Sequence, residues 1–292
     1  MRRAVALVAA SAFVLLAASG AGARPSAPGL THVTLIGDSV PEGITGSTIA
    51  TRIISQGVDI DLEPATCRRL EDPSCPPNPP TAIQLIQSKG SSIGPVVIVA
   101  VGYNDFANHY QQEMNDVIAA LDAAGVKRIF WLTLRAAHHS YIPVNDEIKA
   151  TAAAHPNMTV IDWNLYSRDH PDWFQSDGIH MLEAGSEAMA TLIHDKLLAA
   201  GVAVPPPVVA TRSIPAASVG RRYAVTLRAR SGRGPYRWAA LGHVPLGLHM
   251  SPGGTLAGVP RRTDAHGVYT LVFRVTDATG QSGTRKLLLR LR

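Results

Sequence analysis

The stretch Val33-Thr34-Leu35-Ile36-Gly37-Asp38-Ser39-Val40 joins a largely apolar run to a short polar turn. The run predicts a buried strand, and the turn places Ser39 just past the carboxyl end of that strand. A serine there can lie at the edge of a sheet, with its backbone N–H opening the next helix. Turns after strands favour glycine, aspartate and serine for local reasons, so this stretch indicates chemistry only together with other segments.

Two later segments carry further polar residues that suit a catalytic site. Val96–Val101 is a second apolar run followed by Gly102-Tyr103-Asn104-Asp105, and Asp177-Gly178-Ile179-His180 places a carboxylate three residues before an imidazole. Apolar runs without alternation indicate strands that are buried on both faces of a parallel sheet covered by helices. Because such sheets bind ligands beyond the carboxyl ends of their strands, we expect these segments and Ser39 to meet at one edge.

Predicted strands and helices alternate up to about residue 200. The remaining strands are predicted over Val58–Leu62, Arg128–Leu134 and Met158–Asp162, and the helices over Ile44–Ile54, Pro80–Ser88, Gln111–Ala124, Asn145–Ala154 and Glu183–Ala200. The segment Gly201–Pro207 predicts a linker. Beyond it the pattern favours β structure, with strands predicted over Tyr223–Leu227 and Tyr269–Val275.

These segments, in this order and spacing, resemble the SGNH (GDSL-type) serine hydrolases, a family of esterases and acyl-ester hydrolases. The resemblance covers about Thr31 to Ala200. The stretch Val160–Trp163, followed by His170–His180, is most similar to the extracytoplasmic SGNH domains that bacterial membrane acyltransferases carry. The resemblance implies a flavodoxin-like three-layer α/β/α fold with a parallel sheet. It also implies acyl-ester chemistry that needs no metal and no organic cofactor.

The catalytic roles follow from what a serine nucleophile requires. A hydroxyl needs a base within hydrogen-bond reach to remove its proton, and the base needs a partner that fixes its tautomer. We expect Ser39, His180 and Asp177 in these roles. The alternatives are a turn cap for Asp177 and an ordinary surface position for His180. No G-x-S-x-G surrounds Ser39, so this is not the nucleophile elbow of the α/β-hydrolases.

An oxyanion needs hydrogen-bond donors aimed at it, and we expect these from the Ser39 backbone N–H and the Asn104 side-chain amide. The family normally supplies a third donor from a glycine after the second strand, but residues 63–68 contain none. A backbone N–H of Thr66 or Cys67 can serve, and the third donor stays open. Asp38 is expected to support the Ser39 loop by hydrogen bonding, and Asp105 to cap the helix that follows it.

Further candidates lie past the strand ending at Leu134. Arg135 and His138 are expected to contact substrate, and Arg135 suits a carboxylate or a phosphate. Adjacent His138 and His139 point apart on an extended chain, which disfavours a shared metal. Either a sugar platform or core packing accounts for three aromatic residues near the predicted catalytic loop: Trp163, Trp173 and Phe174.

The N-terminus has the pattern of a secretory signal. Arg2 and Arg3 precede an apolar run, Ala4–Ala18, and the small-residue sequence Ala21-Gly22-Ala23. The run is shorter than the roughly 20 residues of a spanning helix. We therefore predict a signal peptide over residues 1–23, a hydrolase domain over 24–204 and a β domain over 205–292.

The chain has two cysteines, Cys67 and Cys75, in a proline-rich loop. In an exported protein an even cysteine count favours a disulfide, and two free thiols are the alternative. A structural zinc site is disfavoured because the pair lacks a second two-ligand cluster.

Charge divides the chain in two. Residues 205–292 carry thirteen arginines and one lysine against two aspartates, a net charge of +12, whereas residues 24–204 have a net charge of −9. The stretch Pro207–Arg292 resembles the immunoglobulin-like, cadherin-like modules of bacterial surface proteins, which implies a small all-β sandwich. Its charge indicates binding to an anionic cell-wall polymer or lipid surface. A solvated face that docks onto the acidic domain is the alternative.

These observations predict a secreted, cell-envelope-associated enzyme that hydrolyses short acyl esters, such as acetyl esters, on cell-envelope carbohydrate. One alternative is acyl transfer to a sugar hydroxyl through the same acyl-enzyme. Another is a surface-binding protein whose basic β module is its main function. A lipase is disfavoured by the lack of a long apolar lid, and no nucleic-acid partner is expected.

Overall fold

The computed structural model describes residues 29–138, 140–261 and 267–292. The predicted signal peptide over residues 1–23 lies outside the described residues, as do His139 and Asp264. No helix in the described ranges combines the length and the apolar character that crossing a membrane requires.

A five-stranded parallel sheet forms the centre of the first domain. Its strand order is β2-β1-β3-β4-β5, which is the flavodoxin-like order. The strands are β1 His32–Gly37, β2 Asp59–Pro64, β3 Val96–Ala100, β4 Arg128–Leu132 and β5 Met158–Ile161. All five predicted strands are confirmed to within a few residues, and so is their parallel arrangement.

Helices cover both faces of this sheet, as the three-layer prediction requires. They are α1 Glu42–Gly46, α2 Thr48–Ile54, α3 Ala82–Lys89, α4 Tyr110–Ala123, α5 Ile142–Ala154, α6 Trp163–Ser167 and α7 Glu183–Ala199. Alternation along β1 separates two cores: Val33 and Leu35 pack with α1, α2 and α7, whereas Ile36 packs with α3, α4 and α5.

The prediction of one helix over Ile44–Ile54 is wrong. Ser47 adopts an extended conformation with φ −108° and ψ 119°, which ends α1, and its hydroxyl accepts a hydrogen bond from the Ala50 N–H at 3.2 Å, which caps α2. The short helix α6 has no counterpart in the sequence-based prediction. Its cap is Asp162, whose Oδ1 accepts from the Leu165 N–H at 3.1 Å.

The second domain is a small antiparallel β structure. It contains two three-stranded sheets, β10-β11-β7 and β13-β12-β9, and a two-stranded pair, β6-β8. The strands are β6 Val208–Val209, β7 Tyr223–Thr226, β8 Ala229–Arg230, β9 Arg237–Leu241, β10 Leu248–Met250, β11 Thr255–Gly258, β12 Gly267–Thr276 and β13 Ser282–Leu291. Buried residues such as Leu256, Phe273 and Leu289 form its core. The predicted all-β sandwich is confirmed.

The first residues of the predicted linker Gly201–Pro207 pack against the first domain. Val202 and Ala203 are buried in the core of the first domain. The Val204 N–H donates to the Gly57 carbonyl at 2.9 Å, and the Val204 carbonyl accepts from Gln281 Nε2 at 3.1 Å. Gly57 has φ +70°, and a Cβ on it would lie 2.1 Å from the Val204 oxygen, so only glycine fits there.

Candidate active site

The structure brings Ser39, His180 and Asp177 into one hydrogen-bonded chain. His180 Nε2 lies 3.0 Å from Ser39 Oγ, and His180 Nδ1 lies 2.6 Å from Asp177 Oδ2. Ser39 follows β1 at the carboxyl edge of the sheet, and the other two residues lie on the loop before α7. These contacts allow the imidazole to take a proton from the serine while the carboxylate holds its opposite nitrogen.

The Asp177 loop is held by its own backbone. Asp177 Oδ1 accepts from the N–H groups of Ile179 at 2.9 Å and His180 at 3.0 Å. Partial burial acts to raise the pKa of Asp177, but these bonds and the imidazole outweigh it and lower the pKa to about 2. Gly178 makes the turn at φ +70°, where a Cβ would lie 2.9 Å from the Ala137 side chain. The carboxylate is therefore ionised and fixed in orientation.

Asp38 supports the Ser39 loop, as predicted. The carboxyl group is fully buried; its Oδ1 accepts from the Val40 N–H at 3.0 Å, and its Oδ2 accepts from the Gly102 and Tyr103 N–H groups at 3.1 Å each. Burial raises the pKa of Asp38 to about 6 against the effect of these bonds. One side chain thus joins the loop after β1 to the loop after β3, which carries Asn104.

Asn104 lies beside the loop between β2 and α3, which contains Cys67 and Cys75 and is called the cysteine loop. Its Nδ2 donates to the Arg68 carbonyl at 3.4 Å. An amide nitrogen carries two hydrogens, so one donor is left for an oxyanion. The predicted disulfide is confirmed, with Cys67 and Cys75 bonded at a Cα separation of 5.2 Å. Cys67 has φ +67°, and the assignment of its N–H as the third donor stays a prediction.

Arg68 is a site residue that the sequence-based prediction missed. Its buried guanidinium donates to the carbonyls of Glu63, Gly37 and Pro80, the last two at 3.2 Å and 2.9 Å. These bonds tie the ends of β1 and β2 to the cysteine loop. An arginine in a polar, proline-rich loop carries no sequence signal for burial, so the role is visible only in three dimensions.

The prediction that Asp105 caps the following helix is wrong. The helix α4 begins after His109, which makes no side-chain cap bond. Asp105 instead accepts from the Leu70 N–H at 2.7 Å, and so ties the Asn104 loop to the cysteine loop. Burial raises the pKa of Asp105 to about 8, and the neighbouring Glu113 carboxyl adds to the shift.

Arg135 and His138 line a cavity of about 460 Å³ next to the Asp177 loop. The Arg135 guanidinium is turned inward: it donates to the Gly178 carbonyl at 3.0 Å and to the Ser167 carbonyl, and lies 4.2 Å from the Phe174 ring centroid. These bonds hold the loop between Asp177 and His180. A substrate contact through Arg135 or His138 stays a prediction.

Core packing accounts for two of the three aromatic residues left open above. Trp163 is fully buried and Phe174 is 5% exposed, and both belong to the core between the sheet and α7. Trp173 is half-buried: one part packs against the same core, and its ring stacks on the His170 ring at 3.8 Å between centroids.

One group of side chains in the described ranges could hold a metal ion. Asp72, His109 and Glu113 offer ligand atoms within 4.8 Å of one another. They lie where the cysteine loop meets α4, and acidic groups at a surface are common without an ion. They take no part in the hydrogen-bonded chain from Ser39 to Asp177.

Comparisons with known proteins agree with the two resemblances. A family model described as "Putative Ig domain" matches residues 206–291. A stretch of the chain is 31% identical over 100 residues to O-acetyltransferase OatA of Staphylococcus aureus, covering 34% of this chain and 16% of that protein. Another is 28% identical over 97 residues to "Putative peptidoglycan O-acetyltransferase YrhL" of Bacillus subtilis, covering 33% and 14%. The chain thus spans less than a fifth of the length of these curated relatives.

Among solved structures, the chain is similar to the C-terminal catalytic domain of Streptococcus pneumoniae peptidoglycan O-acetyltransferase A. The identity is 18%, the match covers 59% of this chain and 95% of that one, and the TM-score is 0.48. The sequence relatives and the family model confirm the resemblance of the chain to bacterial acyltransferases and, over residues 206–291, to immunoglobulin-like modules.

Proposed function

We propose that the chain is an exported serine esterase that removes short acyl groups, acetyl above all, from cell-envelope carbohydrate. The observation that carries this proposal is the continuous contact from Ser39 Oγ through the His180 ring to Asp177 Oδ2, at 3.0 Å and 2.6 Å. A binding protein has no need of that alignment.

In the reaction, Ser39 Oγ attacks the ester carbonyl carbon while His180 Nε2 takes the hydroxyl proton. The carbonyl π electrons move to oxygen, and the resulting oxyanion is bound by the Ser39 N–H and the free Asn104 N–H. The tetrahedral intermediate then expels the alkoxide of the sugar, which receives the proton from His180. Water attacks the acyl-serine by the same steps and releases the carboxylic acid and free Ser39.

Asp177 acts through His180. Because its low pKa keeps it ionised, it accepts the Nδ1–H of His180 throughout and stabilises the imidazolium that forms in both halves of the reaction. It holds the ring and stays unprotonated.

Acyl transfer to a sugar hydroxyl is the second candidate, and the names of the relatives, which are O-acetyltransferases, favour it. Both reactions share the acyl-enzyme and differ in the acceptor. Hydrolysis is supported by the openness of the site, since the His180 and Asp177 side chains are 44% and 45% exposed. Water therefore reaches the base from solvent. The envelope glycan as substrate and the extracytoplasmic location rest on the same relatives, together with the signal pattern at residues 1–23.

The test is to incubate the secreted protein with a nitrophenyl acetate and with acetylated wall polysaccharide, and to follow acetate release. We expect release from both substrates, and we expect Ser39→Ala to remove essentially all of it while the circular dichroism spectrum stays unchanged. Turnover retained in Ser39→Ala would overturn the proposal. Adding an unacetylated oligosaccharide separates the candidates: a transferase moves the acetyl group to the sugar, whereas an esterase releases only acetate.

A further inference from the structure

The sheet β13-β12-β9 of the second domain has one face on the core and one face in solvent. Along β13, Leu287, Leu289 and Leu291 point into the core, so the alternate residues Lys286, Leu288 and Arg290 point outward. The outward residues of β12 and β9 follow from the pairing register. We call this solvent-facing side of the three strands the outer face.

Four cations lie on the outer face. Arg290 is on β13 opposite Val268, and Lys286 is opposite Val272. Arg274 lies on β12, two residues after Val272. Arg237 lies on the neighbouring strand β9, opposite Thr276, which is two residues after Arg274. With strands about 4.8 Å apart and about 3.4 Å per residue, the last three are spaced roughly 8 Å apart on a diagonal.

No acid neutralises these cations within the described part of the second domain. Its one acidic residue there, Asp277, is buried, and its carboxylate accepts the N–H groups of Arg233, Thr279 and Gln281. Among the described residues, no ion pair involves a cation of the outer face. Unpaired cations within about one Debye length repel one another, which favours an anionic partner.

Aliphatic side chains stand between the cations. Leu288 is 62% exposed, Val268 57% and Leu241 36%. Val268 is opposite Arg290, and Leu241 shares a cross-strand row with Lys286. A soluble polyanion would meet the cations but gain nothing from these groups, whereas a lipid surface receives both: headgroup phosphates pair with the cations, and the aliphatic groups enter the interface.

We propose that the outer face is a docking surface for anionic lipid headgroups, with Arg290, Lys286, Arg274 and Arg237 binding phosphate and Leu288 and Val268 entering the interfacial layer. The surface holds the second domain at a membrane. It does not depend on the ester chemistry, so each proposal can fail alone.

The test uses the full-length secreted protein and vesicles of phosphatidylcholine, alone or mixed with an equal part of phosphatidylglycerol. We expect co-sedimentation with the mixed vesicles only. At about 1 M salt, where the Debye length is roughly 3 Å, the bound fraction should fall. The variant Lys286→Gln with Arg290→Gln should bind about thirtyfold more weakly, since each cation near an anionic surface contributes about 1 kcal/mol.

Matched controls keep the test specific. Arg228→Gln with Arg230→Gln removes the same charge from exposed positions off the outer face, and Leu246→Ser replaces a leucine that is 51% exposed elsewhere in the domain. Both should bind as the wild type does, whereas Leu288→Ser should bind measurably more weakly at unchanged charge. Hydrolysis of a soluble ester should be the same in all variants.

Three results would overturn the proposal. In the first, the wild type does not sediment with the mixed vesicles. In the second, the charge control loses as much binding as the outer-face variant does. In the third, charge removal weakens binding while Leu288→Ser binds as the wild type does, and the outer face is then a site for soluble polyanions.

Discussion

Asp38 and Asp177 each support one part of the candidate site, Asp38 from a buried position and Asp177 from an exposed one. Asp38 is fully buried behind the loops of Ser39 and Asn104, whereas the Asp177 side chain is 45% exposed on the loop of His180. Both accept hydrogen bonds from backbone N–H groups. Burial raises the pKa of Asp38 to about 6, while at Asp177 burial is slight and the hydrogen bonds lower the pKa to about 2.

The contrast shows that solvent access decides whether the pKa of a hydrogen-bonded carboxylate rises or falls. A carboxylate taken out of water loses its hydration, and a few N–H donors replace only part of it. Asp38 therefore belongs to the packing of the sheet edge and joins two loops there. Asp177 belongs to a loop that is built from its own backbone. Substitution at Asp177 should act mainly on the chemistry, and substitution at Asp38 should change stability and geometry together.

The largest effect is expected at the exposed carboxylate. Asp177→Asn keeps an oxygen that can accept from the Ile179 and His180 N–H groups, but it no longer accepts the Nδ1–H of His180 as an anion. We expect kcat for a nitrophenyl ester to fall about 10⁴-fold. The melting temperature should fall slightly, because the low pKa of Asp177 means that its ionised form stabilises the folded state, and solvent weakens this effect at an exposed side chain. Near wild-type turnover would mean that another acid orients His180, and a loss of stability as large as that of Asp38→Ala would contradict the independence of this loop.

A smaller effect is expected at Asn104, on the side that Asp38 supports. Asn104→Ala removes one oxyanion donor, so kcat should fall about 10² to 10³-fold. KM should stay within about twofold, because the bond strengthens only as charge develops on the oxygen. Steady-state kinetics on the same ester separate the two constants. An effect confined to KM would assign Asn104 to ground-state binding.

The sequence predicted the exposed half of the site more completely than the buried half. Asp177 and His180 are three residues apart, so their contact depends on a single loop and is visible in the spacing. The buried half depends on residues far apart in the chain, such as Arg68 with Gly37 and Asp105 with Leu70. The local sequence pattern predicted that Asp105 caps a helix. This prediction was wrong because Asp105 instead accepts from the buried Leu70 N–H of another loop.

The fold followed the same division. Strands and parallel order were predictable because apolar runs and βα alternation carry them. The break between α1 and α2 was missed, although the polar run Thr45-Gly46-Ser47-Thr48 places a helix-ending glycine before an N-cap serine. The apolar residues on either side of this run favoured a single helix. Likewise, charge counting indicated a basic second domain, but the strand register was needed to place four of its cations on one face.

The smallest effect is a change of stability with pH at Asp38. Its folded-state pKa of about 6 lies above the ordinary 3.8, so the folded protein holds a proton that the unfolded chain releases. This contribution is fully present below about pH 4 and is lost as pH rises through about 6, with a maximum of about 3 kcal/mol. Asp38→Ala lacks it, and also leaves buried N–H groups of the two loops without an acceptor.

We therefore expect Asp38→Ala to be less stable than the wild type in urea unfolding followed by circular dichroism, with a larger deficit at pH 4 than at pH 7. Asp105, whose pKa is raised to about 8 mainly by burial, is present in both proteins, and only the minor part of that shift that comes from the Asp38 charge differs between them. Asp177→Asn serves as the control: because the pKa of Asp177 is about 2, any deficit of this variant should be nearly the same at pH 4 and at pH 7. A deficit of the same size at both pH values would mean that Asp38 is ionised throughout. Its three N–H bonds would then outweigh its burial, and the contrast with Asp177 would be one of position alone.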